Sequence, residues 1–138
     1  MEQYRDKLTP LQWRVAFEGG TEPSFKNEYY KSKKEGIYIS IASGVPLFSS
    51  KDKYDSGTGW PSFTRPLPDA HIKETTDRRF GLPKTEVSCS YDGVHLGHVF
   101  KDGPKDQTGL RYCINSASLQ FVPKEALTAE DKEKYGFN

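Results

Sequence analysis

From Gly36 onward, the sequence consists of short runs rich in β-branched and aromatic residues, with turn-forming residues between them. No stretch of helical periodicity separates these runs. This spacing predicts a mainly β fold of two packed antiparallel β-sheets, with a sandwich or barrel-like core. The runs that carry the prediction are 36–42, 46–50, 62–67, 71–78, 84–90, 98–102 and 110–122.

Short peripheral helices are predicted at the N- and C-termini. The first begins at 9–12 (TPLQ), where Thr caps the helix, Pro occupies its first position and Gln completes a capping box. The glycine pair 19–20 ends it. A second cap, Thr128 with Asp131 three residues on, predicts a last helix that ends near Gly136.

Size, charge and cysteine usage narrow the class of protein. The 138 residues carry a formal net charge of +1, which gives no reason to expect nucleic acid or an anionic membrane as a partner. The sequence has no signal-peptide segment and no run of membrane-spanning length, and its two cysteines do not form a secreted disulfide framework. We therefore expect one domain over 1–138, monomeric and cytoplasmic. A fragment of a larger protein would look the same.

The run 110–122 raises a chemical question, because Arg111, Cys113 and Asn115 alternate and so share one face of a strand. If this run pairs with 95–100 (HLGHVF) in a hairpin, the simplest register sets Cys113 opposite Gly97 and His95 opposite Asn115. The glycine would then leave open space opposite the sulfur. The register predicts a face that carries a thiol, an imidazole, an amide and a guanidinium.

His98 joins this face only if the strand is irregular, since three residues separate it from His95. Glycine within a strand often marks a bulge, and Gly97 lies between the two histidines. A buried cysteine on a strand is usually a small apolar residue. The combination around Cys113 favours a reactive thiol instead, because a neighbouring arginine or protonated histidine stabilises the thiolate.

A glycine-rich turn, 56–63 (SGTGWPSF), presents Trp60. An aromatic residue in such a loop either covers the core or forms a rigid apolar wall for a small substrate group.

Taken together, 56–63, 95–104 and 109–121 resemble the signature segments of the B-type methionine sulfoxide reductases, in the order in which that family has them. Further similarity lies in 21–30 and 36–50, so the resemblance covers roughly residues 8–125. This family reduces the R epimer of methionine sulfoxide on a fold of two antiparallel sheets with peripheral helices.

The resemblance implies a role for each candidate residue. Cys113 becomes the nucleophile that attacks the sulfoxide sulfur, and His95 and His98 become the groups that protonate its oxygen. Trp60 becomes the platform for the substrate methyl group. Three further positions complete the expected site: Asn115 and Arg111, which orient it and support the thiolate, and Phe100 as a further wall. Cys113 would remain as a sulfenic acid.

The sequence departs from the family in two places. Many members carry a resolving cysteine where this chain has Thr58, so an external thiol, thioredoxin above all, is the expected reductant. Others hold structural zinc with two CxxC pairs. The matching set here is a poor tetrahedral zinc site and predicts no metal: Ser40, Ser43, Cys89 and Asp92.

Two other functions fit part of this pattern. Cys113, His95 and Asn115 are also the residue trio of cysteine hydrolases. A non-enzymatic β module that binds a ligand through Trp60 and surface tyrosines would need no reactive thiol. His98 and Trp60 have no necessary part in acyl transfer. They therefore favour a reductase that acts on oxidised proteins or on free methionine sulfoxide.

Overall fold

The structure, a computed structural model, describes residues 2–78 and 81–137. Within these residues the strands form two antiparallel sheets. One has three strands in the order β2-β1-β9, and the other has six in the order β3-β4-β8-β7-β6-β5. The strands are β1 (Gly36–Ser40), β2 (Pro46–Ser49), β3 (Lys53–Tyr54), β4 (Ser62–Phe63), β5 (Ile72–Asp77), β6 (Lys84–Cys89), β7 (His95–Phe100), β8 (Arg111–Ile114) and β9 (Leu119–Pro123). The predicted mainly β architecture is confirmed.

Three short helices lie near the ends of the chain: α1 (Glu2–Arg5), α2 (Pro10–Glu18) and α3 (Ala129–Tyr135). In α2, the Thr9 side chain and the Gln12 side chain form the reciprocal bonds of the predicted capping box. The helix ends at Gly19, whose φ of 68° lies in the left-handed region. The prediction of α3 is also confirmed, with Thr128 as its cap and Gly136 at its end. No helix among the described residues is long and apolar enough to span a membrane.

Aromatic side chains join the two sheets. Tyr38 and Phe48 of the three-stranded sheet pack against Phe63 of the six-stranded sheet, with ring centroids 5.3 and 4.5 Å apart. All three side chains are fully buried. This contact sets the packing of the larger sheet, whose central strands β8 and β7 carry the candidate site.

The predicted run 110–122 is two strands rather than one. β8 ends at Ile114, a short 3₁₀ turn covers Ser116–Ser118, and β9 then joins the other sheet. Arg111 and Cys113 alternate on β8 as expected, but Asn115 already lies at the start of the turn. The apolar residues that follow it therefore pack into a different sheet.

Candidate active site

Cys113 lies in the interior of the six-stranded sheet. Its direct partners are His98 on β7 and Ser62 on β4. The predicted register, with Gly97 opposite Cys113, is wrong by one residue, since Gly97 faces Ile114. A long connection between β7 and β8 does not fix the register as a two-residue turn does, and the sequence offered no other constraint.

β7 contains the predicted bulge. Its pairing with β6 shifts by one residue between Gly97 and His95, so Leu96 is an extra residue in the strand. A bulge of this kind turns His95 and His98 to the same side, although they are three residues apart. Their rings meet edge to face with centroids 5.7 Å apart.

Gly97 has a steric role that differs from the one expected. A β-carbon at this position would lie 2.0 Å from the carbonyl oxygen of Cys113. The position of the missing side chain is therefore filled by the main chain of Cys113, although Gly97 lines the cavity that Cys113 also borders. The glycine instead allows the main chains of β7 and β8 to approach closely where the bulge distorts their pairing.

Each imidazole contacts a carboxylate from another strand of the same sheet. Glu86 on β6 contacts Nδ1 of His95 at 2.6 Å, and Asp77 on β5 contacts Nε2 of His98 at 3.1 Å. Such pairs fix the orientation and tautomer of the ring. These partners could not be predicted from the sequence, because they depend on how β5, β6 and β7 pair.

A cavity of about 290 Å³ opens beside Cys113. Of the seven residues predicted for the site, six line it: Trp60, His98, Phe100, Arg111, Cys113 and Asn115. The seventh, His95, is only 5% exposed and places its ring against that of His98. The structure thus brings the predicted site residues together, in one place and on one side of the sheet.

Trp60 is fixed by the loop that precedes it. Gly59, with a φ of 88°, lies so close to Phe25 that a β-carbon would come within 2.5 Å of the phenyl ring. The indole Nε1 of Trp60 donates a hydrogen bond to the carbonyl oxygen of Glu22 at 3.0 Å. The ring is therefore held as a wall of the cavity.

Glu22 is a site residue that the sequence analysis missed. Its buried carboxylate accepts hydrogen bonds from the backbone N–H groups of Ser116 at 2.5 Å and Ala117 at 2.7 Å, and its own N–H donates to Asn115. Burial raises the pKa of Glu22, and the two backbone hydrogen bonds oppose that rise. This residue ties the N-terminal segment to the end of β8, next to the thiol.

Arg111 is anchored at the outer edge of the cavity. Its guanidinium forms a two-pronged ion pair with Asp102, with Nε 2.9 Å from Oδ1, and lies 4.4 Å from the centroid of the Phe100 ring. It also hydrogen-bonds to Cys113. This contact agrees with the expected support of the thiol by a cation.

The thiol of Cys113 is nevertheless not a ready thiolate. Burial raises its pKa above the usual value and Glu22 adds to the rise, while the charge of Arg111 and the hydrogen bond from Thr58 lower it in part. The expected cation is present and lowers the pKa, but it does not offset burial. Packing within a central strand partly removes the sulfur from water, and this desolvation outweighs the charge of Arg111, which is shared with Asp102.

Two comparisons bear on this arrangement. The family described as the SelR domain matches residues 8–123. The chain belongs to the SelR domain family. It is also 53% identical over 134 residues to a Vibrio cholerae protein named peptide methionine sulfoxide reductase MsrA/MsrB, a match over 97% of this chain and 35% of the relative. The chain thus spans about a third of the length of that curated protein. The resemblance to B-type methionine sulfoxide reductases is confirmed.

The amide of Asn115 does not orient a histidine in this SelR domain. Its oxygen accepts from the Glu22 N–H at 3.1 Å, and its nitrogen donates to the carbonyl oxygen of Leu96 at 3.0 Å. A cysteine hydrolase needs its asparagine on the catalytic imidazole. Here carboxylates hold both imidazoles, so the hydrolase alternative gains no support.

The second cysteine of the SelR domain lies in a closed hydrogen-bonded cluster. One carboxylate oxygen of Asp92 accepts from the hydroxyls of Ser40 at 2.5 Å and Ser43 at 2.6 Å, and its other oxygen accepts from the Val94 N–H. Cys89, fully buried, hydrogen-bonds to the same carboxylate. Burial, with Asp92 adding to it, raises the pKa of Cys89 to about 11.

These four positions do not suit zinc. Only one of the four side chains is a thiol, and the carboxylate of Asp92 already accepts hydrogen bonds from two hydroxyls and a backbone N–H. Within 2–78 and 81–137, no group of three or more histidine, cysteine, aspartate or glutamate residues is placed to hold a metal ion. The absence of zinc from the purified protein stays a prediction.

Cys89 and Cys113 are well separated. Cys113 pairs with His98, His98 pairs with Glu86, and Cys89 lies three residues beyond Glu86 on β6. With strands about 4.8 Å apart and a rise of about 3.3 Å per residue, their Cα atoms are more than about 10 Å apart. A disulfide needs about 7 Å or less, so a direct bridge requires rearrangement of the sheet.

Proposed function

We propose that this domain reduces methionine-R-sulfoxide, free or within proteins, to methionine, with Cys113 as the nucleophile. The observation that carries the proposal is the cavity beside Cys113, which His98 also lines. The pairing of Cys113 with His98 across β8 and β7 sets a nucleophile and an acid on adjacent strands. Membership of the SelR domain family supports the same activity.

The proposed chemistry needs one nucleophile and one proton donor. The Cys113 thiolate attacks the sulfoxide sulfur and forms an S–S bond while the sulfoxide oxygen is protonated. The S–O bond of the substrate then breaks, the oxygen passes as hydroxide to the Cys113 sulfur, and the S–S bond breaks so that methionine leaves and Cys113 remains as a sulfenic acid. His98 supplies the proton that the oxygen needs as it gains negative charge. His95 acts with it, through the contact between the two rings.

The remaining residues bind and orient the substrate. Trp60 and Phe100 offer apolar walls on which the methyl group of the sulfoxide packs. Arg111 and Asn115 hold the site in shape, the first through Asp102 and the second through Glu22. The charged Arg111 also stabilises the anionic form of the attacking sulfur.

Regeneration of the thiol belongs to the same proposal. A dithiol such as thioredoxin attacks the Cys113 sulfenic acid, releases water and forms a mixed disulfide, and its second thiol then frees Cys113 and leaves the reductant oxidised. Thr58 offers no thiol near Cys113, and Cys89 is two strands away. The proposed enzyme is a cytoplasmic monomer that needs no zinc.

A stereospecific assay tests the function. Wild-type protein, Cys113→Ser and the matched control Cys89→Ser are given separate R and S methionine sulfoxides with the thioredoxin system. We expect reduction of the R epimer alone by wild type and by Cys89→Ser, and a loss of at least about 10³-fold in Cys113→Ser. Equal use of both epimers, or an active Cys113→Ser, would contradict the proposal.

A further inference from the structure

Behind the Cys113 sulfur runs a chain of three side-chain hydroxyls. Ser62 lies directly opposite Cys113 on β4 and is fully buried. Its Oγ is 2.7 Å from Oγ of Ser56, and that oxygen is 2.8 Å from Oγ1 of Thr58. Thr58 lines the same cavity as Cys113, and a hydrogen bond from its side chain lowers the pKa of the Cys113 thiol. At the far end, the Ser62 hydroxyl lies 3.1 Å from the carbonyl oxygen of Trp60.

The hydrogen bonds along the hydroxyl chain have two arrangements, which differ in the direction in which each group donates. Each hydroxyl carries one proton and can accept a second hydrogen bond, as can the thiol. When Cys113 is a thiol, every proton points away from the sulfur: Cys113 to Thr58, Thr58 to Ser56, Ser56 to Ser62, and Ser62 to the Trp60 carbonyl. When Cys113 is a thiolate, every proton points towards it, from Ser62 through Ser56 and Thr58, and the Trp60 carbonyl loses its bond from Ser62.

We propose that this hydroxyl chain reverses direction when Cys113 ionises, so that Thr58 and Ser56 are positioning residues for the nucleophile. The inference rests on the proposed role of Cys113. The thiol proton does not leave along the chain, which ends at a carbonyl that cannot take it. The proton passes to solvent in the cavity, and the hydroxyls only rotate. The partly buried thiolate thus gains a charge-assisted hydrogen bond from Thr58.

Other ionisable groups also act on this sulfur, and the test must leave them unchanged. The guanidinium of Arg111 favours the thiolate, and the carboxylate of Glu22 opposes it. The remaining groups that pair with Cys113, interact with it electrostatically or line the same cavity are His98, Tyr54 and Lys84.

The test measures the ionisation of Cys113 without any sulfoxide. Wild type, Thr58→Val, Thr58→Ser and Ser56→Ala are treated with iodoacetamide across a range of pH, and alkylation of the Cys113 peptide is followed by mass spectrometry. Valine matches threonine in shape but donates no hydrogen bond, while serine keeps the hydroxyl. The buried Cys89 peptide, read in the same samples, reports whether each variant is folded.

We expect Thr58→Val to raise the midpoint of the pH profile, so that Cys113 is alkylated about 10-fold more slowly at neutral pH. Thr58→Ser should stay within about 2-fold of wild type, and Ser56→Ala should lie between the two because Thr58 then loses its donor. A Thr58→Val profile that coincides with wild type, with Cys89 still protected, would overturn the proposal.

If Cys89 is alkylated in Thr58→Val, that variant is not properly folded, and the comparison of Ser56→Ala with Thr58→Ser tests the proposal instead. Ser56→Ala slower than Thr58→Ser supports the chain, and equal profiles overturn it. Because no substrate is present, these outcomes do not depend on whether the domain reduces sulfoxides.

Discussion

Cys113 and Cys89 belong to the same six-stranded sheet, two strands apart, and hydroxyl and carboxylate groups surround both. Around Cys113 the polar groups border a cavity, and a cation contributes to the hydrogen bonds on the sulfur. Around Cys89 they close on one another through Asp92, and the thiol is fully buried. Burial raises both pKa values, but only Cys113 has a charge partner that opposes it.

A polar cluster becomes a reactive site where it leaves a cavity beside the nucleophile. Desolvation acts on both thiols in the same direction. A cavity for a ligand and hydrogen-bond donors able to face an anion are present at Cys113 alone, within the part of the chain that the structure describes. At Cys89 the neighbouring charge is negative, so the same residue type has a structural role.

The largest effect should come from the two histidines of the candidate site. His98→Asn and His95→Asn are expected to lower turnover of the R-sulfoxide by about 10²–10⁴-fold, with the greater loss for the cavity-lining His98. Steady-state kinetics with each variant measure this. The third histidine, His71, stacks near Tyr91 outside the site and provides the control, His71→Asn. A loss below 10-fold in His98→Asn would remove it from the mechanism.

A smaller effect, on stability, is expected at the Cys89 cluster. Asp92→Asn should lower the free energy of unfolding by about 1–3 kcal/mol at pH 7, because the hydroxyls of Ser40 and Ser43 lose an anionic acceptor. Chemical denaturation measures it. Although burial raises the pKa of Asp92, its hydrogen bonds lower it overall. The stabilisation is therefore present above the unfolded pKa, and falling pH removes it as the folded pKa is passed.

Two observations sharpen this prediction. The deficit of Asp92→Asn should shrink towards acid pH, and a deficit independent of pH would contradict the role of the charge. A chelator should leave the thermal midpoint of the wild type unchanged, and elemental analysis should find no zinc. Stoichiometric zinc would instead make Cys89 a ligand.

The smallest effect should follow from removing Cys89 from the redox cycle. Cys89→Ser is expected to turn over with thioredoxin almost as well as wild type, because a bridge to Cys113 needs rearrangement of the sheet. One equivalent of sulfoxide without reductant should then consume one free thiol in the wild type. Loss of both thiols, with a Cys89–Cys113 peptide in the mass spectrum, would break the distinction between the two cysteines.

Much of the fold is readable because its signals are local. The cap at Thr9 and the alternation in the strands depend on neighbouring residues, and both appear in the structure. The break after Ile114 was not readable, since the alternating pattern continues through it. What holds the turn at Ser116 is the carboxylate of Glu22, far away in sequence.

The candidate site also has some features that could be predicted from the sequence and others that could not. The residue types at Cys113, His98 and Trp60 were readable from their motifs, and the bulge from a single glycine. The register of β7 with β8 was not, because a long loop joins the strands. Nor were the carboxylates Asp77 and Glu86, which depend on the pairing of three strands. The raised pKa of Cys113 follows from burial, which only the assembled sheet determines.

The bonds of Glu22 also bear on how the domain folds. Its carboxylate and Ser116 are 94 residues apart in the chain, and its N–H and the Asn115 oxygen are 93 apart. Closing a loop of that length costs more conformational entropy than closing the hairpins β5-β6 and β7-β8. We therefore expect the hairpins to form first. We therefore expect the contacts of Glu22 beside Cys113 to form late in folding, after the sheet that carries the thiol is built.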